Sequence, residues 1–209
     1  MSTLDIIFQV AVLIMSVVIH EVSHGYVAGM LGDPTARLAG RLTLNPLRHL
    51  EWFGSFIVPL LTSLTGFTFG WAKPVPVNTY NLRWGRKGEA LVAAAGPLSN
   101  FLIALVFGIF IRLGIANSWF SGPDDPLFHI SILITAINLV LVVFNLVPVP
   151  PLDGSKIAFA MLPARLFYIQ EWAERNGLLL ILIVVFFLWQ FFEPIVNLLF
   201  NVITGLTLL

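Results

Sequence analysis

The run His20-Glu21-Val22-Ser23-His24 has residue types and spacing suited to metal-assisted hydrolysis. It fits the pattern H-E-x-x-H, in which two histidines of one helix bind zinc and the glutamate serves as general base. On a helix His20 and His24 are roughly 40° apart in projection and one turn removed, so both imidazoles can reach one ion. Glu21 lies roughly 60° from His24 on the same side, close enough to touch a water on the metal without ligating it. These three are the only Asp, Glu, Lys, Arg or His residues between Ile6 and Leu31. A glutamate inside a membrane helix costs about 2.5 kcal/mol or more, which makes it a functional candidate by default. The alternative is an interhelical polar cluster or a proton relay, neither of which needs the His–His spacing.

Two imidazoles leave a catalytic zinc site one protein ligand short. His49 lies in a polar loop and His129 near the end of an apolar run, and both read as interfacial histidines. Asp153 is the better candidate. It follows Asn145-Leu-Val-Pro-Val-Pro-Pro-Leu152, where an apolar run breaks at three prolines. Taken alone, Asp153 reads first as the N-cap of a short following helix. Depth favours the ligand. His20 lies about 16 residues, or roughly 24 Å of helix, from the start of its run. In a hydrocarbon core about 30 Å thick that is near the far face, and Asp153 lies just past the end of a run reaching the same face.

The elements that must position these residues are membrane helices. The chain is 58% hydrophobic and 11% charged over 209 residues, too few polar side chains for a soluble shell. We expect an all-α polytopic membrane protein forming one domain over 1–209. Its spans are expected at about 4–31, 89–112, 127–147 and 178–205, with a membrane-embedded re-entrant or extended β segment over 52–80. Pro74 and Pro76 exclude helix from Trp71–Asn78 and confine any strand there to a sheet edge. Gly154–Asn176 reads as short and amphipathic, and Glu193-Pro194 as a break in the last run. The absence of cysteine excludes thiolate ligands, and the zero net charge gives no sign of a nucleic-acid partner. The first run has no basic flank or small-residue cleavage site, so it reads as a retained span.

Charge sets the expected orientation. With both termini and the loop at 113–126 outside, Arg37, Arg41, Arg48, Lys73, Arg83, Arg86, Lys87, Lys156, Arg165 and Arg175 lie on the cytoplasmic side, 10 of the 11 basic residues. Arg112 is the exception and can snorkel. Both flanks of 52–70 are then basic and on one side, so this segment is expected not to cross.

At this point the chain resembles the site-2 proteases, a family of intramembrane zinc metalloproteases. The resemblance rests on His20-Glu21-x-x-His24, Phe69-Gly-Trp-Ala-Lys-Pro-Val-Pro-Val-Asn78, Gly96-Pro-Leu-Ser-Asn100, and Asn145 followed by Asp153-Gly154. It implies one zinc ion per chain with Asp153 as third ligand, Glu21 as catalytic base, and Asn145 holding substrate or the oxyanion. It also implies membrane-protein substrates with single-span or signal-anchor segments. The expected location is the bilayer of a prokaryotic cell membrane, with the site toward the cytoplasm. The sequence lacks a PDZ or CBS domain and looks like the compact branch. Asn145 reads alternatively as a partner for carbonyls freed by Pro148, and Gly96, Pro97 and Asn100 as close helix packing. The rival functions are an ion or proton transporter and an inactive metal-binding scaffold. The ionisable residues form one cluster and not a path across the bilayer, and Glu21 is intact, which argues against both.

Overall fold

A computed structural model describes residues 3–49, 51, 73–122, 124–185 and 189–208. Among these residues all regular structure is helical. Helix α1, Thr3–Met30, is a run of apolar residues without proline. It ends where Gly32 adopts φ +106°, with Gly32 N–H bonded to Gly29 O and Asp33 N–H to Ala28 O. This pair of bonds is a Schellman stop, which glycine makes without a Cβ penalty. Helix α2, Arg86–Ala116, is the longest. Helix α3, Pro126–Asn145, starts on Asp125, whose side chain accepts the Leu127 N–H, and on a proline at its first position. Four shorter helices follow: α4, Asp153–Ala160; α5, Phe167–Arg175; α6, Gly177–Ile183; and α7, Trp189–Thr204.

Helix α2 is the axis of the bundle and packs against α1, α3, α4 and α7. Its buried stripe recurs every fourth residue through Gly88, Val92, Gly96, Asn100, Ala104 and Gly108. Lipid gives no hydrophobic drive between helices, so small residues that admit close backbone approach hold such contacts. From Ala104 of this stripe, Leu139, Val196, Phe200 and Ile203 continue the contact and join α2, α3 and α7 into the main core. Val147, Leu152, Ile181 and Val184 form a second core under the proline loop between α3 and α4.

Three helices have the length and composition of membrane spans: Ile6–Met30, Arg86–Ala116 and Pro126–Asn145. Only 22–28% of each apolar window is buried inside the protein, so most of these surfaces need lipid as solvent. The chain is therefore an integral membrane protein. The expected fourth span at 178–205 is covered by α6 and α7, and neither described piece is long enough to cross. The expected break at Glu193-Pro194 is not where the helix stops, since α7 runs through Pro194. Membrane helices tolerate proline where the freed carbonyl finds another partner.

The expected re-entrant stretch 52–70 lies outside the described residues. The residues beside it are joined, with Lys73 N–H donating to His49 O at 2.8 Å. The strand allowed within 71–78 does not form over 73–78, which is neither helix nor ladder. Pro74 and Pro76 remove alternate N–H donors there.

A close contact between α2 and α7 yields a test. A Cβ on Gly108 would stand 2.3 Å from Ile203 Cγ2, whereas one on Gly29 meets nothing within 4 Å. Gly108→Val should destabilise the bundle by about 1–3 kcal/mol, read as a lower thermal midpoint in detergent, while Gly29→Ala should not.

Candidate metal centre

Helix α1 carries His20 and His24 on its buried face, one turn apart as the spacing predicts, with ring centroids at 4.7 Å and an edge-on angle of 87°. Asp153 arrives from the other direction, at the first turn of α4. Its Oδ2 lies 3.0 Å from His20 Nε2 and 3.2 Å from His24 Nε2. The capping role does not apply to Asp153: Leu152 is the N-cap of α4 and no side chain caps that end. The close turn into α4 depends on Gly154, where a Cβ would stand 2.2 Å from Leu146 O.

The second nitrogen of each imidazole is already engaged. His20 Nδ1–H donates to Asn100 Oδ1 at 2.5 Å, and His24 Nδ1–H donates to Val92 O at 2.7 Å. Both acceptors belong to α2. A neutral imidazole with its proton fixed on Nδ1 presents the Nε2 lone pair, which is the form that ligates metal. Asn100 is held in turn: its Nδ2 donates to Asn138 Oδ1 at 2.8 Å, and Asn138 Nδ2 donates to Ser16 Oγ at 2.9 Å. Asn100 and Asn138 are wholly buried, so this network is shielded from competing water.

The three donors fit a zinc ion. One ligand atom from each of His20, His24 and Asp153 lies within 4.8 Å of the others, and all three residues are buried. Two imidazoles and a carboxylate form a donor set typical of catalytic zinc. With zinc bound, the Asp153 carboxylate would be the anionic donor of the three. Space is left by Gly96 of α2: a Cβ there would lie 2.5 Å from both Nε2 atoms and fill the place between them.

Glu21 and Asn145 both line the cavity of about 320 Å³ that opens on this cluster. Glu21 Oε2 accepts the Val75 N–H at 2.8 Å. Asn145 donates one amide hydrogen to Leu141 O of its own helix at 2.9 Å, which is not a carbonyl freed by Pro148, and keeps a second hydrogen. His49 and His129 stand apart from the cluster; His49 is buried with Nε2 at 2.9 Å from Thr43 O. Sequence reasoning undervalued Gly96 and Asn100. Packing was the right kind of reason for Gly96, but what it packs against is the pair of ligand nitrogens. For Asn100 the available signal was a fully polar amide on a stripe of small residues, four positions after Gly96.

Ligand and support should be separable by zinc affinity, measured by competition with a chromophoric chelator. Asp153→Ala should lose most of the affinity, and an unchanged value would remove Asp153 from the site. Asn100→Ala should weaken binding about 10–100-fold, because His20 then loses the acceptor that fixes its tautomer.

Comparison with known proteins accords with this geometry. The profile of Peptidase family M50 matches residues 124–189, a stretch that includes Asn145 and Asp153. YwhC of Bacillus subtilis is 38% identical over 183 residues, covering 84% of this chain and 78% of that protein. Rip2 of Mycolicibacterium smegmatis is 30% identical over 151 residues, 71% of this chain and 54% of its own length. Zinc metalloprotease MJ0392 of Methanocaldococcus jannaschii is 27% identical over 161 residues, 76% of this chain and 35% of its own. No solved structure gives a significant match. A family profile that falls on the Asp153 half, together with a relative aligned over most of both chains, establishes that this chain belongs to peptidase family M50, the site-2 protease family of intramembrane zinc metalloproteases.

Proposed function

We propose that this protein hydrolyses peptide bonds in or beside the membrane segments of other membrane proteins, with His20, His24 and Asp153 as zinc ligands, Glu21 as general base and Asn145 as the group that orients the scissile carbonyl. The observation that carries this reading is that Glu21, Asn145 and the three donors line one cavity. Zinc, when bound, supplies the Lewis acidity that makes water nucleophilic near neutral pH and polarises a carbonyl. Glu21 takes the proton from the attacking water and passes it to the departing amine. The free hydrogen of the Asn145 amide stabilises the negative charge that develops on the carbonyl oxygen. Gly96 keeps the floor of the site open, and Asn100 and Val92 O keep both imidazoles in register.

A substrate helix hides its peptide groups and must unwind before it is cut. Pro74-Val75-Pro76-Val77 is suited to hold the unwound chain, because Pro74, Val75 and Val77 line the cavity and the two prolines keep the segment extended. The substrates are then single-span or signal-anchor segments. The protein lies in a prokaryotic cell membrane with four spans, the last within 178–205, and with the site toward the cytoplasm. The basic residues support this orientation. The bond between His49 and Lys73 supports a segment 52–70 that leaves and returns at one depth.

Glu21→Gln keeps the side-chain shape and loses the base. Purified Glu21→Gln should retain one zinc per chain and lose cleavage of a single-span test substrate by about 10²–10⁴-fold. Wild-type turnover by this variant would refute the mechanism even with the zinc site intact. Asn145→Ala should keep zinc and cleave more slowly. For topology, the native chain has no cysteine, so Arg37→Cys and Arg83→Cys can be labelled singly in intact cells. Both should react from the cytoplasmic side, and opposite sides would mean that 52–70 crosses.

A further inference from the structure

Glu21 is held by a segment far from it in sequence, and that segment is tied down at both ends. At the near end Lys73 N–H bonds His49 O at 2.8 Å, and Arg41 Nη2 donates to Lys73 O at 2.9 Å. At the far end stands Asp33, directly after the stop of α1. Asp33 Oδ2 accepts the Asn78 N–H at 2.7 Å, and Oδ1 accepts from Asn81 Nδ2 at 2.9 Å. Oδ1 also accepts from the Thr35 N–H at 3.1 Å and the Thr35 hydroxyl at 2.5 Å. Asp33 is 1% exposed. Between the two anchors Val75, itself buried, gives its N–H to Glu21 Oε2 at 2.8 Å.

We propose that Asp33 is a positioning residue for hydrolysis: it docks the 73–78 strap on α1 so that the Val75 N–H fixes one oxygen of Glu21 and leaves Oε1 to take the proton. This rests on Glu21 being the base. Asp33 sits just beyond the C-terminal turn of the helix that carries Glu21, so the carboxylate and its backbone clamp share one rigid support. The strap can transmit the restraint because Pro74 and Pro76 fix φ at two of its positions and bias Lys73 and Val75 toward extended backbone. From Val75 to Asn78 such a chain spans roughly 9 Å at about 3.1 Å per residue, with little slack. Local bonding does not account for Asp33. The Thr35 contacts form an Asx turn, which any exposed Asp could make. The bonds to Asn78 and Asn81 reach 45 and 48 residues along the chain and consume the acceptors of a buried carboxylate. Burial works to raise this carboxyl, but its hydrogen bonds outweigh that and hold it below the ordinary Asp value, so both oxygens stay acceptors at neutral pH.

The test compares zinc-loaded Asp33→Ala, Asp33→Asn and Thr35→Ala with the wild type. The readouts are zinc content, kcat and KM on a single-span test peptide, and hydrogen exchange at the Val75 and Asn78 amides. Asp33→Ala should keep its zinc, lower kcat roughly 10–100-fold and speed exchange at both amides, since a misplaced base loses near-attack geometry. Asp33→Asn keeps one acceptor oxygen and should recover part of the loss. Thr35→Ala touches only the local turn and should match wild type. If Asp33→Ala folds poorly, Asp33→Asn alone decides, through a lowered kcat with faster Val75 exchange. Wild-type kcat with zinc bound, unchanged Val75 protection, or a defect confined to KM would overturn the proposal. Failure of the base assignment itself reads out separately, as an active Glu21→Gln, while the exchange measurement still reports whether Asp33 holds the strap.

Discussion

A metal ligand buried in an apolar bundle must keep a lone pair free while every other polar atom nearby finds a partner. At this site the constraint falls on the two Nδ1 atoms of His20 and His24. Left without acceptors, either ring could carry its proton on Nε2 and present a donor to the cation. Asn100 Oδ1 and Val92 O remove that option. The carboxylate of Asp153 stands 3.0 and 3.2 Å from the two Nε2 atoms, an arrangement of three lone-pair donors that a cation between them would satisfy. The cost of placing these groups away from water is offset only by this full set of bonds.

Both acceptors belong to α2, which makes that helix the reference frame of the centre. Its stripe of Gly88, Val92, Gly96, Asn100, Ala104 and Gly108 does two jobs with one periodicity. The small residues let α1 and α7 approach closely, and at Gly96 the same lack of a side chain leaves the space between the ligand nitrogens. The polar residue of the stripe, Asn100, continues into Asn138 of α3 and Ser16 of α1, so three spans are coupled at the level of one histidine. Packing and ligand orientation are therefore not separable functions of α2.

The surroundings of Glu21 are organised differently. Glu21 shares α1 with the histidines, yet its carboxylate is restrained by a non-helical strap. Helices hold His20, His24 and Asp153, the group that could bind a metal, where fixed geometry is needed. A proline-stiffened segment borders the cavity that opens on the cluster. The strap ties the loop after α1 to the segment that leads into α2, through the bonds of Asp33 to Asn78 and Asn81.

Much of the centre was legible in residue order, because a helix converts spacing into angle. His20, Glu21 and His24 share one helix, so their mutual arrangement needs no tertiary information. The span positions followed from runs of apolar residues, and three of them agree with the structure to within a few residues. Pro74 and Pro76 announced a non-helical segment for the same local reason. Asp153 was open between ligand and helix cap, since both roles use the same carboxylate at the same helix end; the approach of α4 to α1 brings it to the two histidines, and it makes no capping bond. The roles of Gly96 and Asn100, the bond from Val75 to Glu21, and the reach of Asp33 to Asn78 were decided by the fold alone. Each joins residues 45 or more positions apart, and one chain's periodicity carries no information about which faces will meet. Local spacing determined what chemistry this protein can do, and long-range packing decided which groups hold that chemistry in place.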